Sequence, residues 1–371
     1  MKPLNVYFKC GVHPQFKEIT DLPPKGVNYT INMPSGSHNN DLMRKRRGLV
    51  HKLHEITSIP RFAYVPNANK YDLIHSTRGF IILNRKPWIV DAETAAAFSG
   101  LNWVALRKPL MQMMIHRGLS SKYCKKILPQ SEAAKNTILK YINCKGFENK
   151  IEVLYPAYRA NPGIRTKSDK VRISFVGKYF LPKGGYDLQK AFAELDKKYD
   201  VELIMKSDVP EKFRLNMPNV KYLGNELSKD EFYKTVFFGA DIYAQPTYVD
   251  SYGIAMLEAM STGLPIVTTD DFTMPELVID GKNGFTVHSD IVWDKFIDKN
   301  PRLDKFYRLV RYQEHPDVVR QLVEKLSILI ENSALRKRMG QESFRMVDSG
   351  KFSIAHRNKQ LIRIYEESLR K

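Results

Sequence analysis

The chain has 371 residues, of which 43% are hydrophobic and 11% aromatic. This length and composition allow two domains with sizeable cores and exclude a globally disordered protein. No run of 18 apolar residues occurs and residues 1–16 lack the apolar stretch of a signal peptide, so we expect a cytoplasmic protein rather than a secreted or membrane-spanning one.

The formal net charge of +19 is concentrated in the first part of the chain. Residues 1–150 contain 24 lysines and arginines against nine acidic residues, whereas the other 221 residues contain 35 against 31. The basic residues include the run Arg44–Arg47. Such a field attracts nucleic acid, an anionic membrane face or a phosphorylated substrate. A basic surface that only keeps the protein soluble is the alternative.

Short apolar runs recur through the first half and predict the strands of an α/β sheet. They read LNVYF from Leu4, FAYV from Phe62, DLIH from Asp72, FIIL from Phe80, WIVD from Trp88 and KKILPQS from Lys125. A long apolar segment over residues 92–119 predicts helix, interrupted near Gly100. Residues 161–170 are polar, contain proline and glycine, and predict a linker.

The alternation of strands and helices restarts after this linker. It predicts an α/β domain over residues 163–350, following a first one over residues 1–162. Residues 291–316 interrupt the alternation with mixed aromatic and basic residues and predict a surface excursion. Amphipathic helices follow, and the last of them is expected over residues 351–371.

Residues 250–260, DSYGIAMLEAM, place two carboxylates on either side of a predicted strand-to-helix turn. Ala240–Ala244 alternate as a strand, a loop follows, and Ile254–Met260 have helical character. Asp250 and Glu258 would therefore flank a helix N-terminus, in the kind of unit with which α/β proteins bind ligands.

A second loop, FVGKYFLPKGGYDL, carries two lysines between a predicted strand and a predicted helix. Gly177 ends the strand, Lys178 follows it, and Lys183 precedes Gly184 at the start of the helix. Ammonium groups and backbone N–H groups at a helix N-terminus suit a diphosphate. The loop is neither a Walker loop nor G-x-G-x-x-G, and two exposed loop lysines are the plain alternative.

Taken in order, these segments resemble the donor-binding domain of family-4 glycosyltransferases. The family pattern runs from VGR through P-x-K-G, ADVFVxPS and E-x7-E to G-x-P-E…G-x-x-G. The counterparts in this chain are VGK, PKGG, ADIYAQPT, Asp250-x7-Glu258 and TMPELVIDGKNGFTV. The resemblance is specific over residues 171–290. It implies the GT-B architecture, an α/β fold in which two Rossmann-like domains face each other across a cleft and a C-terminal helix returns to the first domain.

The resemblance implies a retaining, hexosyltransferase-type reaction that uses a UDP- or GDP-linked sugar and no metal cofactor. Glu258 would accept hydrogen bonds from the ribose diol, and Asp250 would hold hydroxyls of the transferred sugar. Lys178 and Lys183 would stabilise the departing diphosphate in place of a metal ion. The other expected donor-binding residues are Gly177, Gly184, Tyr252, Gly253, Ile254, Thr273 and Met274.

Three positions depart from the family pattern. Asp250 stands where the family has glutamate, so the sugar is expected to sit differently or to be a different sugar. Lys178 replaces an arginine and offers a point charge without a bidentate fork. The usual glycine pair before Pro-Glu is replaced by residues 271–274, whose side chains are expected to crowd the site, while Thr273 and Met274 keep backbone donors.

In the first half, Glu93 of PWIVDAET stands where the family has a histidine near the reacting sugar. It would bind the donor sugar, position the acceptor hydroxyl or act as a base if burial raises its pKa. A metal-binding pair of Asp91 and Glu93 and a purely structural Glu93 are the alternatives. The loop Gly11–Phe16 is expected on the acceptor side.

Two histidines and three cysteines carry weaker signals. His75 ends a predicted strand and is more readily structural than cleft-facing, and His116 is less distinctive still. Cys10, Cys124 and Cys144 are far apart, lack metal-ligand spacing, and are expected to be reduced packing residues.

The expected acceptor is a sugar, a glycolipid or another anionic molecule. The basic first half could dock at the inner, anionic face of the membrane, with residues 95–118 as an interfacial segment or, on the plainer interpretation, as packing. Alternative functions are a sugar phosphorylase or epimerase, a catalytically silent nucleotide-binding relative, and a nucleic-acid-binding protein. Nucleic acid is the less favoured partner because aromatic residues do not alternate with the basic run.

Overall fold

The computed structural model describes residues 3–9, 14–31, 59–224, 227–312 and 314–370. Arg44–Arg47, Cys10 and the first three residues of the loop Gly11–Phe16 lie outside the described residues. The chain divides into two compact units. Unit 1 comprises Met1–Pro156 and Ile354–Lys371, and unit 2 comprises Ala157–Ser353. The sequence had placed these boundaries at residues 162/163 and 350/351.

The described residues form 13 strands, whose bounds follow. They are β1 (Leu4–Lys9), β2 (Val27–Ile31), β3 (Phe62–Ala63), β4 (Leu73–Ser76), β5 (Ile81–Ile82), β6 (Trp88–Ala92), β7 (Cys124–Pro129), β8 (Val171–Val176), β9 (Val201–Lys206), β10 (Val220–Leu223), β11 (Ile242–Gln245), β12 (Ile266–Thr269) and β13 (Gly284–Val287).

The same residues form 13 α-helices and several shorter turns. The helices are α1 (Pro14–Asp21), α2 (Trp103–Leu106), α3 (Pro109–Ser120), α4 (Glu132–Tyr141), α5 (Gly185–Leu195), α6 (Lys229–Phe232), α7 (Ile254–Ser261), α8 (Met274–Leu277), α9 (Trp293–Lys299), α10 (Leu303–Tyr312), α11 (Pro316–Glu331), α12 (Ser333–Asp348) and α13 (Ile354–Leu369). Short 3₁₀ turns cover Ala68–Lys70, Ala95–Ser99, Glu148–Lys150 and Glu211–Phe213, and a π-helical turn, Tyr233–Phe237, continues α6.

Unit 1 is built on a five-stranded sheet in the order β2-β1-β4-β6-β7, with β3 and β5 pairing beside it. Neighbouring strands are parallel, and all residues of β4 and β6 are buried, as expected for a sheet covered on both faces. The helix predicted over residues 92–119 is divided into a 3₁₀ turn, α2 and α3. Gly100 and Leu101 have positive φ, and Pro109 begins α3.

Helix α13 packs on the sheet of unit 1, as the expected return of the C-terminal helix requires. Leu361, Ile364 and Tyr365 share a buried core with Val6 and other residues of β1, β4, β6 and β7. The Tyr365 hydroxyl lies 2.7 Å from Nδ1 of His75, which is fully buried. The predominantly structural role expected for His75 agrees with this position.

Unit 2 contains a six-stranded parallel sheet in the order β10-β9-β8-β11-β12-β13. The predicted alternation of strands and helices over residues 171–287 is confirmed by these elements. Residues 291–316, expected as a surface excursion, contribute α9, α10 and the start of α11.

The five-stranded and the six-stranded sheet each have one point at which the direction of strand addition reverses. In unit 1, β2 lies on one side of β1 and β4 on the other, so the reversal is between β1 and β4. In unit 2, β9 and β11 flank β8, so the reversal is between β8 and β11. Open α/β sheets bind ligands outside the carboxyl ends of the strands at this topological switch point. The loops that follow β8 and β11 are the two loops that the sequence singled out.

Candidate functional site

The loops after β8 and β11 are in close contact at Gly184. Gly184 has φ +73°, and a Cβ atom added to it would lie 2.0 Å from the carbonyl oxygen of Pro246. The Tyr248 N–H donates to the carbonyl of Pro182 at 3.0 Å, and its hydroxyl donates to Asp187 on α5 at 2.9 Å. The first loop can approach the second so closely because residue 184 has no side chain.

Lys183 and Asp250 meet where the two loops touch. Lys183 Nζ lies 2.5 Å from Asp250 Oδ2 and donates to the carbonyl of Val249 at 2.8 Å. Asp250 Oδ1 accepts hydrogen bonds from the N–H groups of Tyr252 and Gly253 at 3.2 and 3.0 Å. The side chains remain 17% and 16% exposed. The structure therefore brings together a cation and an anion that lie 67 positions apart in the sequence.

Glycine is also required at the start of α7. Gly253 precedes the first helical residue, Ile254, with φ +85°, and a Cβ atom there would lie 2.9 Å from Leu277 Cδ1. Tyr252 is buried. A residue with a side chain would be strained in this conformation, so Gly253 fixes the direction in which α7 leaves the loop.

Glu258 lies on α7, and two tyrosines that the sequence did not indicate point at its carboxylate. The Tyr158 hydroxyl donates to Glu258 Oε1 at 2.7 Å, and the Tyr233 hydroxyl lies 3.4 Å from the same oxygen. The two tyrosine hydroxyls are 2.8 Å apart. Burial and the Glu258 charge raise the pKa of Tyr158, so it stays protonated and orients the carboxylate.

The charges of both carboxylates affect one buried tyrosine, the second residue of β11. Tyr243 is fully buried, and its hydroxyl lies 3.0 Å from Gln245 Oε1. Burial, followed by the negative charges of Asp250 and Glu258, raises its pKa well above the ordinary value. The charges of Asp250 and Glu258 therefore both bear on this one buried hydroxyl, and their binding of two ends of one ligand stays a prediction.

Lys178 is exposed and borders a cavity of about 610 Å³ within unit 2. The opposite lining includes Tyr307, Arg308 and Arg311 of α10. Burial, and then the charges of Tyr179 and Asp250, raise the pKa of Tyr307. Residues 291–316 thus contribute side chains beside the candidate site, which sequence reasoning missed. Gly177 is buried, and a Cβ atom there would lie 3.0 Å from Lys183 Cβ, so this glycine admits the lysine stem.

The segment that replaces the family's glycine pair turns its side chains inward. Asp271, Thr273 and Met274 are buried, and the Thr273 hydroxyl donates to the carbonyl of Ser251 at 3.0 Å. The Met274 N–H donates to the carbonyl of Asp271 at 3.0 Å. A ligand that used the Met274 N–H would have to replace this bond, so donor binding by Thr273 and Met274 stays a prediction.

Asp271 carries a measurable consequence for stability. Burial raises the pKa of its carboxyl to about 7, and Oδ1 is buried without a hydrogen-bond partner. Since this pKa exceeds the unfolded value of 3.8, the stability that the protonated group provides is present below pH 4 and is lost as the pH rises through 7. Asp271→Asn is expected to be more stable than the wild type at pH 8, by about 2–4 kcal/mol.

Urea unfolding between pH 4 and pH 8 measures this effect. The difference in the free energy of unfolding between Asp271→Asn and the wild type is expected to grow as the pH rises. No such pH-dependent difference is expected for Asp169→Asn, which removes an exposed carboxylate. A gap that does not change with pH would contradict the raised pKa.

In unit 1, Glu93 follows β6 and faces Arg78, with 3.6 Å between Arg78 Nε and Glu93 Oε1. Burial raises the pKa of the Glu93 carboxyl, against the opposing effect of Arg78. Asp91 Oδ1 instead lies 3.0 Å from Nε2 of the buried His75. The Asp91 side chain is 7% exposed and hydrogen-bonded to the histidine, and the alternative of a metal-binding Asp91–Glu93 pair stays a prediction. Within the described ranges, no group of three or more metal-ligating side chains is found.

The remaining candidates in unit 1 have packing roles. His116 Nδ1 lies 2.9 Å from the carbonyl oxygen of Asn143. Cys124 and Cys144 are buried, and burial raises their pKa to about 12 and about 11, so the thiols stay protonated, as packing residues should.

Residues 95–118 combine buried and exposed apolar side chains. Trp103, Leu106 and Met111 are buried, which agrees with the packing interpretation. Leu110 and Met113 are 59% and 61% exposed. In the part of the chain that the structure describes, the helices are too short or too polar to span a bilayer.

Part of the sequence is similar to that of known proteins. Residues 159–303 match the model of the family described as glycosyl transferases group 1. A sucrose synthase of Denitrovibrio acetiphilus is 36% identical over 72 residues, which cover 19% of this chain and 9% of that protein. An uncharacterized 41.2 kDa protein in the cps region of Klebsiella pneumoniae is 27% identical over 243 residues, covering 59% of this chain and 66% of the relative. The matches thus span less than two thirds of either relative.

Solved structures match nearly the whole chain. HepE of Anabaena, in complex with UDP-glucose, superposes with a TM-score of 0.63 at 13% identity and covers 98% of this chain and 99% of its own. Sucrose-phosphate synthase of Thermosynechococcus elongatus gives a TM-score of 0.67 at 12% identity, covering 98% of each chain. Identities this low bear on the fold alone. Residues 159–303 therefore resemble group 1 glycosyl transferases, in a chain with the GT-B fold of two Rossmann-like domains.

Proposed function

We propose that this protein is a retaining, metal-independent glycosyltransferase of the family-4 type, which transfers a sugar from a nucleotide-diphosphate sugar to an acceptor hydroxyl. The observation that carries the proposal is the contact between Lys183 and Asp250 at the switch point of unit 2, beside the helix that bears Glu258. Lys183 is suited to the diphosphate of a donor and Asp250 to its sugar. Glu258, further along the helix, is suited to the ribose.

The ribose end of the donor is assigned to Glu258. A carboxylate can accept both hydrogen bonds of a vicinal diol, and the Tyr158 hydroxyl holds this one in place from behind at 2.7 Å. The nucleotide-sugar ligand of the HepE structure supports a donor of the UDP type.

The diphosphate and sugar ends are assigned to Lys183 and Asp250. On donor binding, the Lys183 ammonium would contact the diphosphate and Asp250 would contact hydroxyls of the sugar. The donor would therefore break the ion pair between Lys183 and Asp250. The bond between the anomeric carbon and the phosphate oxygen breaks as the acceptor oxygen bonds to that carbon on the same face, and the proton of the acceptor hydroxyl passes to the departing diphosphate. Lys183 and the exposed Lys178 would stabilise the negative charge on the departing diphosphate, as a metal ion does in other enzymes.

The acceptor side is assigned to unit 1. Glu93 is the candidate to hydrogen-bond the acceptor hydroxyl, because it follows β6 and burial raises the pKa of its carboxyl against the opposing effect of Arg78. The exposed Leu110 and Met113, next to Arg107 and Lys108, support action at an anionic, cytoplasmic membrane face.

A thermal-shift titration with UDP, GDP and ADP tests the donor site. One nucleotide at about one hundred times its Kd should raise the Tm by about 5 °C or more, with or without EDTA. Glu258→Gln should lose most of this shift, because the amide accepts only one of the two diol bonds well. Glu194→Gln, which alters an exposed glutamate on α5, should keep it.

The reaction itself needs a separate measurement. The matching sugar nucleotide should be consumed in the presence of acceptor, and NMR of the product should show the anomeric configuration of the donor. A requirement for a divalent cation would refute metal independence, and inversion would refute the retaining assignment. Nucleotide binding without any transfer or hydrolysis would indicate a catalytically silent relative.

A further inference from the structure

Three basic side chains come together in unit 1, and we call Lys9, Arg61 and Arg78 the basic cluster. The strand pairings explain the convergence. Strands β3 and β5 are parallel with Phe62 opposite Ile81, so the residues before them, Arg61 and Phe80, are also neighbours. Strands β1 and β4 are parallel with Lys9 opposite Ser76, which brings the end of β1 beside the turn that carries Arg78.

Phe80 lies at the centre of the basic cluster. Lys9 Nζ is 5.3 Å and Arg61 Cζ is 5.6 Å from its ring centroid. Arg78 lies two residues before Phe80 and directs Nε toward Glu93 at 3.6 Å. The Thr77 N–H and hydroxyl donate to the carbonyl of Lys9 at 3.2 and 3.1 Å and hold the two strand ends together.

Among the described residues, the positive charges of the basic cluster outnumber the carboxylates paired with them. Arg78 pairs with Glu93, Asp91 is bound to His75, and no ion pair of Lys9 or Arg61 with a carboxylate is found in that part of the chain. Burial, and then the positive charge of Arg78, lower the pKa of Arg61. Arg78 Nε and Glu93 Oε2 are buried and have no hydrogen-bond partner. An uncompensated, partly desolvated group of cations is costly unless an anion joins it.

The basic cluster stands at the switch point of its sheet. Lys9 ends β1, and Arg78 follows β4 by two residues, so both lie at the carboxyl edge where the order of strands reverses. The turn is fixed tightly there, because a Cβ atom on Gly79 would lie 2.5 Å from the Ala97 backbone. In open α/β sheets this is the place at which a ligand binds.

We propose that the basic cluster binds a phosphate group of the acceptor. Guanidinium forks and an ammonium on a partly desolvated surface suit the tetrahedral oxyanion of a phosphate ester. The acceptor is therefore a phosphorylated molecule, either a soluble sugar phosphate or a phosphate-bearing lipid. This inference rests on the proposed function, to which it adds the chemical class of the acceptor.

Titration with inorganic phosphate at constant ionic strength, followed by the Tm of the full chain, tests the basic cluster. Phosphate is expected to raise the Tm of the wild type. Lys9→Gln and Arg61→Gln are expected to weaken phosphate binding about ten-fold or more. Arg85→Gln removes an exposed cation before β6, and Lys183→Gln removes the donor-site cation. Both should keep the effect. Arg61→Lys should restore part of it, which separates lost binding from misfolding.

Two further arms distinguish the sources of the phosphate. Glucose 1-phosphate represents the soluble source, and vesicles with phosphatidic acid, compared with phosphatidylcholine alone, represent the lipid. Binding of either one that depends on Arg61 and Lys9 supports the proposal and names the source. Absence of a phosphate effect in the wild type, or one that Lys183→Gln abolishes and Arg61→Gln retains, overturns it. An intact nucleotide shift in the same Arg61→Gln protein keeps the proposed function separate from that outcome.

Discussion

Replacement of Lys183 by methionine is expected to lower kcat by about 10²- to 10³-fold. The ammonium group lies 2.5 Å from Asp250 at the switch point of unit 2, where the departing diphosphate would develop its charge. Methionine keeps most of the side-chain volume and removes only the charge. The loss should appear in kcat and kcat/KM together, because the interaction strengthens as the leaving group departs.

Stability must be measured beside activity for this variant. Asp250 loses its counter-ion but keeps the N–H groups of Tyr252 and Gly253, so a loss of about 1–3 kcal/mol in the free energy of unfolding is expected. Lys197→Met, which removes an exposed lysine, should leave kcat unchanged. A decrease in kcat of less than about five-fold could come from experimental scatter or small indirect effects. Such a result for Lys183→Met would exclude Lys183 from the leaving-group role.

Gly184→Ala is the second substitution with a large expected effect. A β-carbon at this position would lie 2.0 Å from the Pro246 carbonyl oxygen, and the left-handed φ of +73° adds strain of its own. We expect a loss of about 3–5 kcal/mol in the free energy of unfolding. The nucleotide-induced rise in Tm should also disappear, since the two loops must separate to admit the methyl group.

Gly281→Ala provides the matched control. Gly281 also has a left-handed φ, +74°, but a Cβ atom there would meet nothing within 4 Å. It should therefore cost only the conformational strain, about 1–2 kcal/mol, and leave nucleotide binding intact. Equal losses in the two variants would show that the contact with Pro246 is not what holds the loops together.

The parts of the site that the sequence predicted are local ones. Lys183 and Gly184 lie in one strand–loop–helix segment, and Asp250 and Glu258 in another, so short-range pattern and turn chemistry suffice to predict those segments, while the roles proposed for the residues follow from the family resemblance. The alternation of strands and helices predicted an α/β sheet in each part of the chain, and the two-domain architecture followed from the resemblance to family-4 glycosyltransferases.

The parts that the sequence did not predict depend on distant contacts. Tyr158 donates to Glu258, which lies 100 positions later in the sequence. Tyr307 lines the cavity beside Lys178 and belongs to residues 291–316, which contain no recognisable motif. The contact between Asp91 and His75 joins two adjacent strands and likewise has no signal in the sequence. Which tyrosine faces a carboxylate is decided by tertiary packing, and a single sequence carries no periodic signal for it.

The return of α13 to unit 1 has a consequence for the order of assembly during synthesis. Unit 2 is continuous over Ala157–Ser353, whereas the core of unit 1 joins Val6 and Phe8 of the first strand to Leu361 and Ile364. Unit 2 has all its residues while unit 1 still lacks a helix, so the ribosome delivers a complete second unit before the first can close. Until residues 354–370 emerge, the apolar face that α13 covers stays open to water and to other nascent chains.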